Sequence, residues 1–199
     1  MRQTSRREFL TVAAGLTALA ARAPAAAAQT PPLSPTPSCP DSPPATARQT
    51  EGPYFKPDSP LRASLLEPGI TGTKIVVTGM VLSTACQPIA RALIDVWHAD
   101  DRGAYDTGGF RLRGHQFTDD RGLYRLETIV PGIYVGRTRH YHVKVQAPNR
   151  PVLTTQLYFP GETVNATDPI FSRDLVMRVS DAGGVKAATF DFVLDLGRR

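Results

Sequence analysis

The chain has 199 residues, which is the size of one domain and is cramped for two. Its formal net charge is +5, but no stretch gathers lysine and arginine into a dense patch, so nucleic-acid binding has little support. Part of the positive charge lies in residues 1–28; without them, 19 basic and 17 acidic residues remain and the net charge falls to +2.

Residues 1–28 are predicted to be an export signal rather than part of the fold. They open with SRREFL, continue with an apolar run and end in four alanines, the pattern of a secretory signal and not of a stable membrane span. The arginine pair followed by Phe-Leu resembles the twin-arginine signal, with an ordinary secretory signal as the alternative. We therefore expect a periplasmic or secreted protein, and twin-arginine export of a folded chain would allow a metal to be inserted in the cytoplasm.

Residues 29–48 form a second segment that differs in composition from the rest. They are rich in proline, serine and threonine, which is typical of an extended arm without its own core. The folded domain is then expected to cover 49–199. Cys39 in the arm and Cys86 in the domain are the two cysteines, and in an exported chain they would form one disulfide; two free thiols are the alternative.

From Lys74 onward, short alternating runs separated by turn residues predict β-strands. The predicted strands are 74–83, 90–98, 122–129, 140–147, 153–159 and 189–196. Glycine and proline together number 34, and no amphipathic helix longer than two turns is apparent. The prediction is an all-β domain, a two-sheet β-sandwich core with long loops.

One predicted strand carries a pair of histidines, His140 and His142. Side chains alternate along a strand, so both imidazoles leave the same face and could bind one metal ion. Tyr134 precedes them in a loop, and Tyr105 follows the 90–98 strand in another. Two phenols and two imidazoles suit Fe(III) better than zinc or copper(I). Taken alone, the histidines could be a chance pair on a solvated face and the tyrosines could be packing residues.

Between about Thr50 and Phe192, the sequence resembles the intradiol ring-cleavage dioxygenases. The segments that carry the resemblance are TEGPYF (50–55), ALIDVWHAD (92–100), GAY (103–105), RGHQFTD (113–119), YR (124–125), IVPGIY (129–134), RTRHYH (137–142) and LTTQLYF (153–159). So many segments in one order make the match specific. The chain lacks the helical N-terminal region of catechol-type members, so it is closer to the protocatechuate-type core or to exported single-domain relatives.

The resemblance implies a β-sandwich that binds non-haem Fe(III) and cleaves a catechol-type substrate with O2 to a muconate-type diacid. The implied metal ligands are Tyr105, Tyr134, His140 and His142. Tyr134 would also leave the metal and accept a substrate proton.

The resemblance implies further roles around the metal. Arg137 would stabilise negative charge on the substrate, and Gln156 would orient groups around it. Gly52, Pro53 and Tyr54 would line the substrate pocket. The identity of the catechol, and whether the chain forms a homo-oligomer, are left open.

Two other functions are compatible with parts of the sequence. His98 and Asp100 with a later histidine could form the 2-His-1-carboxylate triad of an Fe(II) oxygenase; we instead interpret His98 and Trp97 as packing residues and His115 as a hydrogen-bonded structural residue. A non-catalytic exported β-sandwich that binds aromatic ligands is the second alternative.

Overall fold

The computed structural model describes residues 43–197. Residues 1–28, most of the arm and Cys39 lie outside the described residues, so the export signal and the arm stay predictions. Cys86 is disulfide-bonded. None of the helices in residues 43–197 is long and apolar enough to span a membrane.

Nine strands and two short 3₁₀ helices make up the regular structure of the described residues. The strands are β1 (Lys74–Ser83), β2 (Leu93–Trp97), β3 (Arg113–Phe117), β4 (Leu123–Ile129), β5 (His140–Gln146), β6 (Leu153–Tyr158), β7 (Arg178–Ala182), β8 (Val185–Thr189) and β9 (Phe192–Leu194). The 3₁₀ helices are η1 (Thr163–Ala166) and η2 (Arg173–Leu175). The all-β prediction is confirmed.

The strands form two sheets. The first has the order β4-β1-β8-β7, with β9 also paired to β1, and the second has the order β3-β2-β5-β6. In the second sheet every pairing is antiparallel. One cluster of buried apolar side chains includes Ile75 and Val77 from the first sheet and Val143 and Val145 from the second. The domain is therefore a β-sandwich whose core lies between the sheets, as predicted.

The predicted strand 189–196 is wrong as a single strand, because only Thr189 belongs to β8 and only residues 192–194 form β9. Strands β8 and β9 pair in parallel with β1 in one continuous register. At the interruption, Gly79 of β1 lies so close to the backbone of Phe190 that a Cβ atom on Gly79 would be 1.8 Å from the Phe190 carbonyl oxygen. The Asp191 carboxylate, instead of a backbone carbonyl, accepts the N–H of Met80 (2.7 Å). The alternation of side chains survives, but the regular ladder does not.

The remaining differences lie at strand ends and in polar strands. Strand β2 begins at Leu93 rather than at residue 90, since Arg91 adopts a positive φ of 54° in the preceding turn. Strand β3 has the sequence RGHQF, which lacks an apolar alternation, and was not predicted. Strand β7 and most of β8 were also missed.

A segment before β1 crosses the outer face of the second sheet, and backbone hydrogen bonds hold it in place. The N–H of Thr46 donates to Val193 of β9 (2.9 Å), and the N–H of Gln49 donates to Thr154 of β6 (2.9 Å). Further along, His115 of the edge strand β3 donates its N–H to Pro60 (3.0 Å). These backbone hydrogen bonds hold residues 50–54 over the outer face of β5 and β6.

Candidate active site

The two faces of β5 have different chemistry. Tyr141 and Val143 point into the core between the sheets, whereas His140 and His142 point to the outer face. Both imidazoles are nevertheless buried. The Trp97 indole stacks on His142 with ring centroids 5.0 Å apart and planes within 7°. The alternation of the strand thus places both histidines in one covered site, as the sequence indicated.

Three side-chain donor atoms converge at this site. The Nε2 atoms of His140 and His142 are 3.1 Å apart. The Tyr105 Oη atom lies 3.1 Å from His142 Nε2 and 3.3 Å from His140 Nε2. Donor atoms that share one first-row transition ion are typically about 3 Å apart, because each lies about 2 Å from it. The spacing of these three atoms therefore fits a common metal ion.

The hydrogen bond on the far side of the His140 ring fixes its tautomer. His140 Nδ1 lies 2.6 Å from the Thr138 carbonyl oxygen, which can only accept, so Nδ1 carries the proton and Nε2 keeps its lone pair. Burial lowers the pKa of His140 to about 4 and that of His142 well below the usual value. Both imidazoles are therefore neutral at neutral pH, the form in which histidine binds a metal.

Burial is unfavourable for two groups at the site, the Tyr105 phenol and His142 Nδ1. Burial raises the pKa of the Tyr105 phenol, and the charges of Arg137 and Arg113 only partly offset this. His142 Nδ1 is buried and has no hydrogen-bond partner within residues 43–197. A bound cation would offset the effect of burial on Tyr105, because it stabilises the phenolate. The donor set, two neutral imidazoles and a buried phenol, fits a hard trivalent ion.

Tyr134 and Tyr54 complete an aromatic group around Tyr105. The Tyr134 hydroxyl does not join the three converging atoms; it forms a 3.0 Å hydrogen bond with the Tyr54 hydroxyl. The Tyr54 ring stacks on Tyr105 at 4.4 Å, and the Tyr134 ring meets Tyr105 edge-on at 5.7 Å. The hydroxyls of Tyr54 and Tyr134 thus meet beside the Tyr105 ring, with the Tyr54 and Tyr134 rings edge-on to each other.

Of the predicted GPY segment, Gly52 and Tyr54 reach the site. Gly52 has a positive φ of 70°, and a Cβ atom there would be 3.1 Å from the His142 ring. A glycine therefore allows the backbone to approach the imidazole closely. Pro53 is exposed.

Arg137 and Gln156 lie together beside the histidines. Arg137 Nη2 donates to Gln156 Oε1 (2.7 Å), and Arg137 Nε donates to the buried carboxylate of Asp168 (2.8 Å). Gln156 stands opposite His142 in the β5–β6 ladder. Burial would raise the pKa of Asp168, but hydrogen bonds from Thr138 and Ile170 N–H groups and from Arg137 outweigh it and lower the pKa. The guanidinium is thus held by an ionised partner.

The matches to known proteins agree with this geometry. A family model described as Dioxygenase matches residues 50–196. The chain belongs to the intradiol ring-cleavage dioxygenase family. The resemblance inferred from the sequence is therefore confirmed, and it covers both sheets and all four predicted metal ligands.

Several relatives of this intradiol dioxygenase family member can be named. One is the dioxygenase domain of a dioxygenase carbohydrate-binding protein fusion from the cellulolytic bacterium Streptomyces sp. SirexAA-E, to which this chain is 57% identical. The two structures superpose with a TM-score of 0.75, and the match covers 77% of this chain and 99% of that one. This chain is 34% identical to the protocatechuate 3,4-dioxygenase beta chain of Burkholderia cepacia over 62% of this chain and 65% of that protein.

A third relative is a solved structure, the 3-chlorocatechol 1,2-dioxygenase of Rhodococcus opacus 1CP. It is 26% identical with a TM-score of 0.70, covering 76% of this chain and 73% of that one. The chain spans between half and two thirds of the length of several curated relatives, including 50% of the Candida albicans catechol 1,2-dioxygenase.

The histidines outside the site have structural roles, as predicted. His98 is buried, with Nδ1 2.7 Å from the Ala99 carbonyl and Nε2 2.7 Å from the Thr128 hydroxyl, so neither nitrogen is available to a metal. His115 hydrogen-bonds to Ser59. Because both His98 nitrogens are hydrogen-bonded, His98 does not fit the Fe(II) triad. Residues 43–197 contain no group of three or more His, Cys, Asp or Glu that could hold a metal.

Three contributors to the site were missed from the sequence. Tyr158 follows Gln156 by two residues on β6 and therefore shares its face; the alternation that placed the histidines could have identified it. Its hydroxyl donates to Gln156 Oε1 at 3.0 Å. Asp168 and the Thr138 carbonyl come from loops, and no local pattern marks them.

Proposed function

We propose that this chain is a non-haem Fe(III) dioxygenase that cleaves a catechol-type ring between its two hydroxyl-bearing carbons to a muconate-type diacid. Both atoms of O2 enter the product, so the reaction needs no external reductant. The observation that carries the proposal is the convergence of Tyr105, His140 and His142, whose donor atoms lie within 3.3 Å of one another in a buried site.

Four side chains would hold the ion: Tyr105, His140 and His142 at the converging atoms, and Tyr134 beside them. The chemistry supplied by a bound ferric ion would be Lewis acidity toward the catechol, which withdraws electron density and prepares the ring to react with O2. The Thr138 carbonyl keeps His140 in the required tautomer, and Trp97 keeps the His142 ring in place by stacking.

Tyr134 is the residue best placed to move a proton. Its hydroxyl has a phenol, Tyr54, as its partner at 3.0 Å, rather than one of the three converging atoms. The hydrogen bond to Tyr134 is the main cause that raises the pKa of Tyr54, so Tyr54 stays protonated and can donate to the Tyr134 oxygen. As the phenolate that metal binding would produce, Tyr134 Oη would accept the proton that the substrate hydroxyl releases on binding, and Tyr134 would become a neutral phenol.

Arg137 supplies positive charge next to the reacting ring. Its guanidinium is already oriented by Asp168 and Gln156, so little reorganisation is needed when negative charge develops on the substrate. Gln156 in turn donates from Nε2 to the Thr50 carbonyl (2.9 Å), which ties the segment over the site to β6.

Oxygen consumption by the iron-loaded protein tests this function directly. With a panel of catechols, we expect O2 uptake in a one-to-one ratio with substrate, a diacid product, and a visible absorption band from tyrosine-to-iron charge transfer. Tyr134→Phe should lower turnover and change that band. Iron-loaded protein that takes up no O2 with any catechol would refute the proposal. That result would favour the alternative of a non-catalytic β-sandwich that binds aromatic ligands, which the family relationship does not favour.

We propose that residues 1–28 direct export by the twin-arginine route. The arginine pair Arg6-Arg7 is the supporting feature. Arg6→Lys combined with Arg7→Lys should keep the protein in the cytoplasm, measured by fractionation of a bacterial host. Export that continues unchanged in this double variant would show that the ordinary secretory route is used.

A further inference from the structure

Each proposed tyrosine ligand follows a glycine by two residues, and these two glycines meet. Gly103 precedes Tyr105, and Gly132 precedes Tyr134. A Cβ atom on Gly103 would lie 2.2 Å from the Ile133 carbonyl oxygen, and a Cβ atom on Gly132 would lie 2.2 Å from the Gly103 nitrogen. The backbones of the two turns are therefore in direct contact, at a distance that only glycine allows.

Asp100 holds the first of these turns closed. Its Oδ1 atom accepts the N–H groups of Arg102 (2.9 Å) and Ala104 (2.9 Å). Its own N–H donates to the Ala104 carbonyl (2.8 Å), and its carbonyl accepts the N–H of Gly103 (3.1 Å). Asp100 therefore stabilises the turn that leads into Tyr105 through both its backbone and its carboxylate.

Asp100 also binds the turn that leads into Tyr134. Its carbonyl oxygen accepts a second N–H, that of Gly132, at 2.6 Å. Gly132 is buried, whereas the residues on either side of Tyr134 are exposed. After Tyr134, the turn closes through the Arg137 N–H, which donates to the Tyr134 carbonyl (2.8 Å). The backbone position of Tyr134 therefore depends on how firmly Gly132 is held.

We propose that Asp100 is a positioning residue for the reaction, because it joins the turns that carry Tyr105 and Tyr134 into one unit. This inference rests on the proposed function, in which both phenols must reach one ion. Asp100 acts through the geometry of its hydrogen bonds and not through its charge, since an amide oxygen could accept the same two N–H groups. A displacement of about 1 Å at either phenol can lower turnover about a hundredfold.

Two substitutions at Asp100 separate geometry from charge. Asp100→Asn keeps an acceptor oxygen in place, so iron affinity, kcat and the tyrosine-to-iron absorption band should stay within about twofold of the unsubstituted protein. Asp100→Glu keeps the charge but moves the carboxylate. It should weaken iron binding about ten- to a hundredfold, the range for residues that orient metal ligands, and should shift the band. Any other order, with Asp100→Asn impaired or Asp100→Glu unchanged, would overturn the inference.

Asp101→Glu is the matched control, because Asp101 is the next carboxylate and accepts from the Thr71 hydroxyl (2.9 Å). It should match the unsubstituted protein, and an impairment equal to that of Asp100→Glu would contradict a specific role for Asp100. A second measurement needs no iron. In the metal-free protein, Asp100→Glu alone should speed amide hydrogen exchange at Gly103 and Gly132 about fivefold, the effect of one lost hydrogen bond. Unchanged exchange would show that the Asp100 side chain does not hold the two turns together.

Gly132→Ala tests the contact between the turns without changing Asp100. Gly132 has no positive φ, so alanine is opposed there only by the backbone that it meets near Gly103. We expect at least as large a loss of iron affinity as in Asp100→Glu, and normal affinity with an unchanged band would contradict the inference. If this variant does not fold, the two Asp100 variants still decide. Unsubstituted iron-loaded protein with neither the band nor O2 uptake would refute the proposed function itself, while hydrogen exchange would still test the link between the turns.

Discussion

Two buried histidines, His98 after β2 and His142 on β5, show how differently the same residue type is used in this domain. Both rings are almost fully buried and both have lowered pKa values, with burial as the main cause. His98 has a hydrogen-bond partner on each nitrogen, Ala99 and Thr128. Among the described residues, His142 Nδ1 has no hydrogen-bond partner, and its Nε2 is directed at two other potential metal ligands.

Burial and pKa therefore do not separate a structural histidine from a functional one; the partners of the two nitrogens do. A satisfied ring stabilises the fold, because its hydrogen bonds replace those lost from water. A ring with an unpartnered nitrogen costs stability and persists where function requires it. The difference between the two sites predicts opposite consequences for the same substitution.

The largest effect is expected from His142→Leu. Loss of one converging ligand should abolish O2 uptake and weaken iron binding by more than about a hundredfold, since loss of a mere supporting residue already costs up to that much. The unfolding free energy of the metal-free protein should change by less than about 1 kcal/mol, because a buried unpartnered nitrogen is removed. Iron content by atomic absorption and urea denaturation measure the two quantities. Full iron occupancy in this variant would contradict the ligand assignment.

His98→Leu should instead lower the stability of the fold and leave iron binding unchanged. The substitution leaves the Ala99 carbonyl and the Thr128 hydroxyl buried without their partner, and we expect a loss of about 2–4 kcal/mol in unfolding free energy. Iron content of the folded fraction should match that of the unsubstituted protein. If this variant were fully stable but lost its iron, His98 rather than His142 would belong to the metal site.

The sequence predicted the positions of the site residues only on strands where side chains alternate regularly between the two faces. Alternation on β5 placed His140 and His142 on one face, and the same rule extended to β6 would have added Tyr158. Alternation could not predict β3, whose polar RGHQF sequence is stabilised by the segment that pairs with its edge. It also could not show the break between β8 and β9, which arises from the close approach of the backbone at Gly79.

The loop residues of the site came from the resemblance and not from a pattern. Tyr105 and Tyr134 lie in loops whose geometry depends on long-range contacts, such as the packing of Gly103 against the Ile133 carbonyl. Asp168 is 31 residues from Arg137 along the chain. Contacts of this kind are set by the tertiary fold, so no local sequence feature indicates them.

Asp168→Asn is expected to have an intermediate effect. The amide can still accept from Thr138 and Arg137 but carries no charge, so the guanidinium is held less firmly. We expect kcat to fall about tenfold with little change in KM, because the charge of Arg137 matters most in the transition state. In an Arg137→Lys background, the same substitution should add little further loss. Additive losses would show that Asp168 acts on stability alone and not through Arg137.

The smallest effect concerns the pH dependence of stability. Burial lowers the pKa of His98 to about 4; the Ala99 hydrogen bond and Asp100 oppose this shift, while His140 and Arg113 add to it. An unfolded histidine has a pKa near 6.5, so between about pH 6.5 and 4 the unfolded state binds more protons and stability falls as the pH falls. Above about pH 6.5 neither state is protonated and the contribution is constant.

His98→Gln removes this titration while it keeps a side chain able to reach Ala99 or Thr128. Between pH 7.5 and pH 5.5, the metal-free protein should lose about 1 kcal/mol more unfolding free energy than the variant, because one pKa unit corresponds to about 1.4 kcal/mol. Urea denaturation at the two pH values measures the difference. An equal loss in both proteins would mean that His98 stays neutral in the unfolded state as well, or is charged in the folded one. Either outcome would remove the reason for treating His98 as the satisfied, neutral counterpart of His142.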